Sequence, residues 1–463
     1  MSWRRFGRII RRRGSLRSLA RWQFLATLAI APWLYGGTTA WSINLITGLL
    51  GLTLTLWVAS LLVDRRWPPI PWPLLVICGL VLAQGWWMTA NAHAIYDATF
   101  RMFTPVQSLS PRLPGSVDYI LSFAWMVRAT ALLGVVCLTA DMAYRPTWLL
   151  RLWYTIAFAG GAIGFLGLIQ KATGAHMIFW QAPTSLGIET FFATYFYHAN
   201  AGAFLNLVLP VSVGLALWTT ARWPRSFMRA AAISVTAVIA VAIVANTSRM
   251  AQVVALLLAL PILAAIAKPA LKMMERAEKR RLFLSALLVV LTLAAVAQAV
   301  RLDRPLMRWK EFSKEMPADQ RWVADEVAIN AVPDAGWFGF GPGTFQAVFP
   351  HYQQVSGNRP FGTWRFLHED YLQTILEWGW SGSVLIGTLF FGGIGLALRG
   401  YFRAQNWSNR ERLFLPCAVL ALIGAAIHAL VDFPFQILSL QIVVATYVGI
   451  CWGSLNWKAE RRR

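Results

Sequence analysis

Charge is scarce in this chain. Only 13% of its 463 residues are Asp, Glu, Lys or Arg, against roughly 25% in an ordinary soluble domain. Acids are scarcer still, 20 against 42 Lys and Arg, for a formal net charge of +22. Cysteine is down to Cys78, Cys137, Cys417 and Cys451, with no Cys-x-x-Cys and no Cys/His cluster, which argues against a disulfide scaffold or a zinc site. Internal repeats and low-complexity tracts are also lacking.

What the chain has instead is apolar length. Apolar residues make up 57% of it, in runs of about 19 to 23 residues, close to the roughly 20 that carry a helix across a hydrocarbon core. Twelve runs are read as spans, at 22–40, 42–63, 72–90, 118–140, 148–168, 198–218, 228–247, 250–267, 282–300, 371–398, 412–430 and 437–455. The expected fold is an all-α polytopic membrane protein with about 12 transmembrane helices and one large loop containing short helices. Its parts are a basic N-terminus at 1–21, nine spans within 22–300, the loop at 301–370, three spans within 371–455 and a tail at 456–463. The N-terminus is basic and then apolar like a signal peptide, but Ala26 to Tyr35 lacks a small-residue cleavage site, so it reads as a retained first helix.

The excess of positive charge is a question of topology before it is one of partners. Segments on the side of the termini hold 29 of the 42 Lys and Arg and only six acids; the opposite loops hold 12 of each. The positive-inside rule then puts both termini in the cytoplasm. Runs such as Arg11-Arg-Arg13 and Arg461-Arg-Arg463 read as anchors near anionic lipid heads, and no aromatic-interleaved basic patch points to nucleic acid. Many of the 24 tryptophans sit at span ends, as interfacial anchors do.

Three connections are long, at 91–117, 169–197 and 301–370, and all lie opposite the termini. In the last, Pro317-Ala-Asp319 is a helix start signal, and Val323, Val327 and Ala331 recur every four residues, a helix expected to stop near Pro333. The glycine-rich Gly336-Trp-Phe-Gly-Phe-Gly-Pro-Gly343 follows. It has no preceding strand and no Lys-Ser/Thr, so it reads as a rigid interfacial loop and not as a nucleotide cradle.

The residues able to carry chemistry gather where that loop rejoins the membrane, in Phe366-Leu-His-Glu-Asp-Tyr-Leu-Gln373. His368 is read as a reactive imidazole, Asp370 as a helix cap, Gln373 and Glu377 as neighbours on one helical face, with Glu369 and Tyr371 as supporting groups. Arg249, in a tight turn between two spans, fits an anion ligand or a group snorkelling to lipid phosphate. Arg321 fits an anion ligand or a surface pair with Asp325, and Arg359 and Arg365 are spare cations. His428 and Asp432, four apart, read first as a structural pair. Two arginines on one face suit a pyrophosphate, since guanidinium binds its oxygens bidentately.

The order of these motifs resembles the O-antigen ligase and polymerase superfamily, membrane glycosyltransferases with a Wzy_C-type region. The likeness runs over about residues 165 to 440, through Gln170-Lys-Ala-Thr-Gly174, His198-Ala-Asn200 with Leu209-Pro210, and Thr247-Ser-Arg249. It continues with Arg321 ahead of Gly339-Phe-Gly-Pro-Gly-Thr-Phe345, His368-Glu-Asp-Tyr-Leu-Gln373 with Glu377 and Gly379, and Val431-Asp-Phe-Pro434. Glu369 departs from the commoner Asn or Ser after the histidine.

The resemblance implies a multi-pass protein of the bacterial inner membrane whose large loop is periplasmic. It implies transfer of a glycan from a polyprenyl (undecaprenyl) pyrophosphate carrier to a hydroxyl acceptor such as lipid A core, without metal or cofactor. It further implies His368 as catalytic residue, Arg249 and Arg321 as pyrophosphate ligands, and Glu369, Asp370, Tyr371, Gln373, Glu377 and Asp432 in support. The partners expected are that lipid-linked donor, a lipid or saccharide acceptor and membrane lipids, with no nucleic acid. An O-antigen or exopolysaccharide polymerase is the rival within the class. A secondary transporter is the rival outside it, disfavoured by the lack of repeats and paired broken helices.

Overall fold

The computed structural model describes residues 15–97, 99–100, 102–182, 190–223, 225–275, 298, 307–311, 319–357, 359–403 and 408–457. Ten helices among them are long and apolar enough to cross a membrane. They are α2 (Ala40–Val63), α3 (Trp72–Ala90), α4 (Tyr119–Ala143), α5 (Pro146–Ala172), α6 (His198–Arg222), α7 (Phe227–Ala245), α8 (Arg249–Glu275), α11 (Asp370–Arg403), α12 (Asn409–His428) and α13 (Leu438–Gly453). α1 (Ser15–Ile30) precedes them. α9 (Gln320–Ala335) and α10 (Phe345–Val355) form a cap over one end.

α6 and α13 are buried almost throughout and act as the core around which the others stand. The outer helices turn large apolar side chains outward, Leu62 at 73% exposure, Leu256 at 65% and Val384 at 64%. Apolar surface on this scale is stable only against lipid, so the chain is a multi-pass membrane protein. Arg128 of α4 lies inside the bundle, where it donates to Gln441 Oε1 at 2.6 Å and to the Gln436 carbonyl at 2.5 Å, and stacks 4.5 Å from Trp125. A buried guanidinium is tolerable only when satisfied in this way, and the result is a bolt between α4 and α13. At the opposite end, fully buried Asp141 accepts from Arg21 at 3.2 Å and Arg66 at 2.5 Å, tying α1 and the α2–α3 turn to α4.

Several expectations change. The apolar run at 22–40 is no single span: α1 stops at Ile30, and 3₁₀ turns at Ala31–Trp33 and Tyr35–Gly37 follow, with Gly36 and Gly37 at positive φ. Pro32 and the glycine pair, which sequence hydropathy outvoted, set this break. The expected span at 282–300 falls outside the described residues, apart from residue 298. The 91–117 connection holds a small antiparallel hairpin, β1 (Ala94–Asp97) on β2 (Met102–Pro105), in the register Ala94 to Pro105.

α9 starts where the sequence signals it, with the Asp319 carboxylate accepting from Arg321 N at 3.0 Å. It runs two residues past Pro333 and ends at Gly336, φ 57°, because a proline in the last turn forfeits one hydrogen bond without breaking those beyond it. Its buried face is Ala324, Val327, Ala328, Ala331 and Ala335, with Val323 only half-buried. That face packs on Phe345, Phe349, Leu367 and Leu376 as a second small core.

The glycine loop after α9 is docked on a break in α11. Gly379 has φ 63° and ψ −172°, which interrupts the helical ladder. The Leu376 carbonyl accepts from Phe340 N at 2.8 Å and the Glu377 carbonyl from Gly341 N at 3.0 Å. In return Trp380 N and Ser381 N donate to the carbonyls of Gly336 and Trp337. The glycine loop thus forms a backbone seam that fixes the cap to the membrane helices.

Candidate active site

Four helix starts meet where α9 of the cap approaches the bundle. The Asn246 amide, in the turn before α8, donates to the His198 carbonyl at the start of α6 (2.8 Å). Arg321, in the first turn of α9, donates through Nη2 to the hydroxyl of Tyr197, the residue capping α6 (2.7 Å). The Tyr197 ring also meets His368, two residues ahead of α11, edge-on at 6.0 Å. Each helix N-terminus carries a partial positive charge of roughly half a unit, partly offset at α9 and α11 by the Asp319 and Glu369 carboxylates that cap them. Their convergence makes this corner favourable to anions before any side chain is counted.

His368 stands in an aromatic box formed by Tyr197, Trp364 and Phe433, the last at 4.8 Å. Its Nδ1 is 3.2 Å from Asp432 Oδ1, an ion-pair distance with the N–H somewhat off line. With Nδ1 facing a carboxylate, Nε2 is the nitrogen left to take a proton, and the 18% exposure of the side chain leaves it reachable. Asp432 is buried, which alone would raise its pKa. The neighbouring His368, then His428 and Arg321, outweigh burial and hold the carboxyl below its usual range. It is therefore a lasting negative charge that orients the imidazole. His428 lies on its other oxygen at 4.0 Å.

Arg321 is 38% exposed, with Nε 3.8 Å from Asp319. The sequence pairs it with Asp325, but its hydrogen bond goes to Tyr197 instead, and Asp325 Oδ1 is left without a hydrogen-bond partner. Arg249 reaches the backbone carbonyl of Arg308 through Nη1 at 3.3 Å. Arg308, in a helical turn at 307–311, sets its own Nη1 3.3 Å from His198 Nε2. Of the spare cations, Arg365 donates to the Thr38 carbonyl at 3.3 Å.

The remaining predicted residues hold the site from behind. Glu369 accepts from the N–H groups of Tyr371 and Leu372, so the cap of α11 is Glu369 and not Asp370. Burial pushes its carboxyl above the ordinary value, although those capping bonds pull it down. Asp370 instead accepts from Phe435 N at 2.8 Å and from the Gln436 amide at 2.9 Å, fixing the turn that carries Asp432. Tyr371 donates to the Ala426 carbonyl at 2.8 Å. Gln373 links Leu367 N to Glu377, and Glu377 accepts from Gly343 N (3.1 Å), Phe345 N (3.3 Å) and Gln373 (3.0 Å). The partner a buried acid requires is here the glycine loop's own backbone.

Tyr197, which sequence reasoning passed over, joins Arg321 to His368. Burial, with Asp432 adding to it, raises its phenol above the ordinary value, so it remains a neutral hydroxyl. Its one sequence signal is its place beside His198-Ala-Asn200.

Asp325 supplies a pH test of this electrostatic map. Burial, with Glu369 adding, raises its carboxyl to about 6. A folded-state pKa raised above the unfolded value costs stability as pH climbs from about 4 to 6, and the full penalty remains above. Asp325→Asn is therefore expected to raise the thermal midpoint at pH 8 and leave it unchanged at pH 4. Equal shifts at both pH values would contradict the assignment.

No curated protein matches the chain. A family model described as Wzy_C, O-antigen ligase, matches residues 235–387. That segment runs from within α7 to within α11 and contains Arg249, Arg308, Arg321 and His368, while Tyr197, His198 and Asp432 come from outside it. Over this matched segment the chain is similar to the O-antigen ligase family.

Proposed function

We propose that this protein transfers a glycan from a polyprenyl-pyrophosphate carrier to a hydroxyl acceptor at the periplasmic face of the bacterial inner membrane, as an O-antigen ligase would with lipid A core. The observation that carries the reading is the meeting of four helix N-termini, Arg249, Arg321 and the His368–Asp432 pair at one corner. In this scheme the acceptor hydroxyl gives its proton to His368 Nε2, and its oxygen bonds to the anomeric carbon. The bond from that carbon to the phosphate oxygen breaks, and polyprenyl pyrophosphate leaves with the electron pair. Arg249 and Arg321 hold the pyrophosphate of the donor. A single displacement of this kind inverts the anomeric centre.

A lipid substrate also finds an apolar wall. A cavity of about 340 Å³ lies between α4, α11 and α13, lined by Leu132, Val136, Phe390 and Val448 and reaching up to Asp370 and Glu377. It offers room for a hydrocarbon chain directly behind the residues that brace the site.

The test is reconstitution in proteoliposomes with a polyprenyl-pyrophosphate glycan and, in parallel, a lipid A core or a second lipid-linked repeat unit as acceptor. Arg249→Ala and Arg321→Ala are each expected to raise the donor KM or lower kcat by roughly ten- to hundredfold, the worth of a charge-assisted hydrogen bond. Transfer only to the second repeat unit would make the protein a polymerase. Solute flux without transfer would make it a transporter.

A further inference from the structure

Resting on that reading, we propose that Arg308 is a third cation of the pyrophosphate site, presented by a neutral His198, and that it meets the extra charge of the departing polyprenyl pyrophosphate.

The tautomer of His198 follows from its partners. Nδ1 is 3.0 Å from the Thr190 carbonyl, and a carbonyl can only accept, so Nδ1 carries the hydrogen. Nε2 then bears a lone pair, and what faces it at 3.3 Å is a donor, Arg308 Nη1. The imidazole is neutral in this arrangement, so it orients the guanidinium without consuming its charge. A carboxylate in the same place would have cancelled it.

Position says what the charge is for. His198 is the first residue of α6 and next in sequence to Tyr197, whose hydroxyl accepts from Arg321. The Arg308 carbonyl accepts from Arg249. Arg308 thus meets Arg249 through its carbonyl and, through His198, stands next to the Tyr197 that Arg321 engages. The acid at the centre, Asp432, is already engaged by His368 and His428.

A glycosyl pyrophosphate diester carries two ionised oxygens, and cleavage of the sugar bond exposes a third on the leaving group. Two arginines match the bound donor, and a third matches the product and the transition state leading to it. An interaction stronger in the transition state than in the ground state lowers kcat when removed.

The experiment uses the full-length protein in proteoliposomes, measuring donor kcat and KM and inhibition by inorganic pyrophosphate, with orthophosphate as comparison. Arg308→Ala is expected to lower kcat and weaken pyrophosphate inhibition by roughly ten- to hundredfold, with little change in donor KM or in orthophosphate inhibition. Arg308→Met, which keeps the apolar stem, should do the same if the alanine variant folds poorly. His198→Phe should reproduce the loss, His198→Gln should rescue it because the amide oxygen still accepts from Arg308, and Arg308→Ala with His198→Phe should be no worse than Arg308→Ala alone.

Unchanged pyrophosphate inhibition in Arg308→Ala, with Arg249→Ala and Arg321→Ala impaired, overturns this inference alone. Indifference of all three overturns the pyrophosphate reading beneath it. A His198→Gln variant as impaired as His198→Phe overturns the positioning role.

Discussion

His368→Ala is expected to lower kcat by roughly 10² to 10⁴, the usual worth of a positioned general base, while the donor KM changes little. The expectation follows from the separation of tasks at the site. In the proposed scheme Arg249, Arg321 and the helix N-termini bind the donor without help from the imidazole, so its removal would leave binding in place. What is lost is a proton acceptor within reach of the attacking hydroxyl. Asp432→Asn gives the complementary measurement. The side chain keeps its shape, but a fixed negative charge beside Nδ1 is gone and the imidazole is freer to adopt the other tautomer. A loss of roughly 10²-fold in kcat is expected there, and the double variant should be no slower than His368→Ala, because Asp432 acts through the imidazole. Full transfer by His368→Ala would remove the base from the mechanism, and additive losses in the double variant would give Asp432 a role of its own.

The ends of this site were legible in the sequence to different degrees, for physical reasons. Arg249 and His368 stand at junctions between apolar runs and water, where hydropathy marks the boundary and a charged group is conspicuous. The capping pair was read one residue out of phase: Glu369 caps α11 and Asp370 braces the 434–436 turn. Both acids suit a helix start, and which one sits outside the first turn depends on how the incoming chain is held. Arg308 carried no signal of its own, and Tyr197 only its place beside His198-Ala-Asn200. An aromatic beside a histidine and one basic residue among many in a long loop have no periodicity, and only folding brings them within 3.3 Å of their partners. The break at 31–37 was written in Pro32, Gly36 and Gly37, and was masked because hydropathy averages over a window wider than a turn.

The seam between the glycine loop and α11 was the least legible feature, since it pairs two backbones far apart in the chain, and it yields the largest structural prediction. Gly379, at φ 63° and ψ −172°, sits in a region that side chains essentially never enter, at a cost of about 1–3 kcal/mol. A Cβ there would stand 2.4 Å from Phe338 N and from the Trp337 carbonyl. Those atoms are backbone held by the hydrogen bonds of the seam, so they cannot swing aside as a side chain would, and overpacking of this kind adds roughly 1–3 kcal/mol. Gly339 is its counterpart, with φ 79° and a Cβ position 2.4 Å from the Glu377 carbonyl. Gly336 is the control, since its φ of 57° and ψ of −146° are nearly as restrictive, yet a Cβ there meets nothing within 4 Å. Gly336→Ala should therefore show the conformational cost alone, and Gly379→Ala and Gly339→Ala that cost plus the clash, read as thermal midpoints in detergent. Because either clash opens the same seam, the double variant should fall short of the sum of the two. The seam also holds Glu377 against the loop and Leu376 in the small core beneath α9, the helix that carries Arg321. Loss of transfer should accordingly track loss of stability in the Gly379 and Gly339 variants, and a Gly379→Ala protein as stable as Gly336→Ala would mean that the seam does not carry the cap.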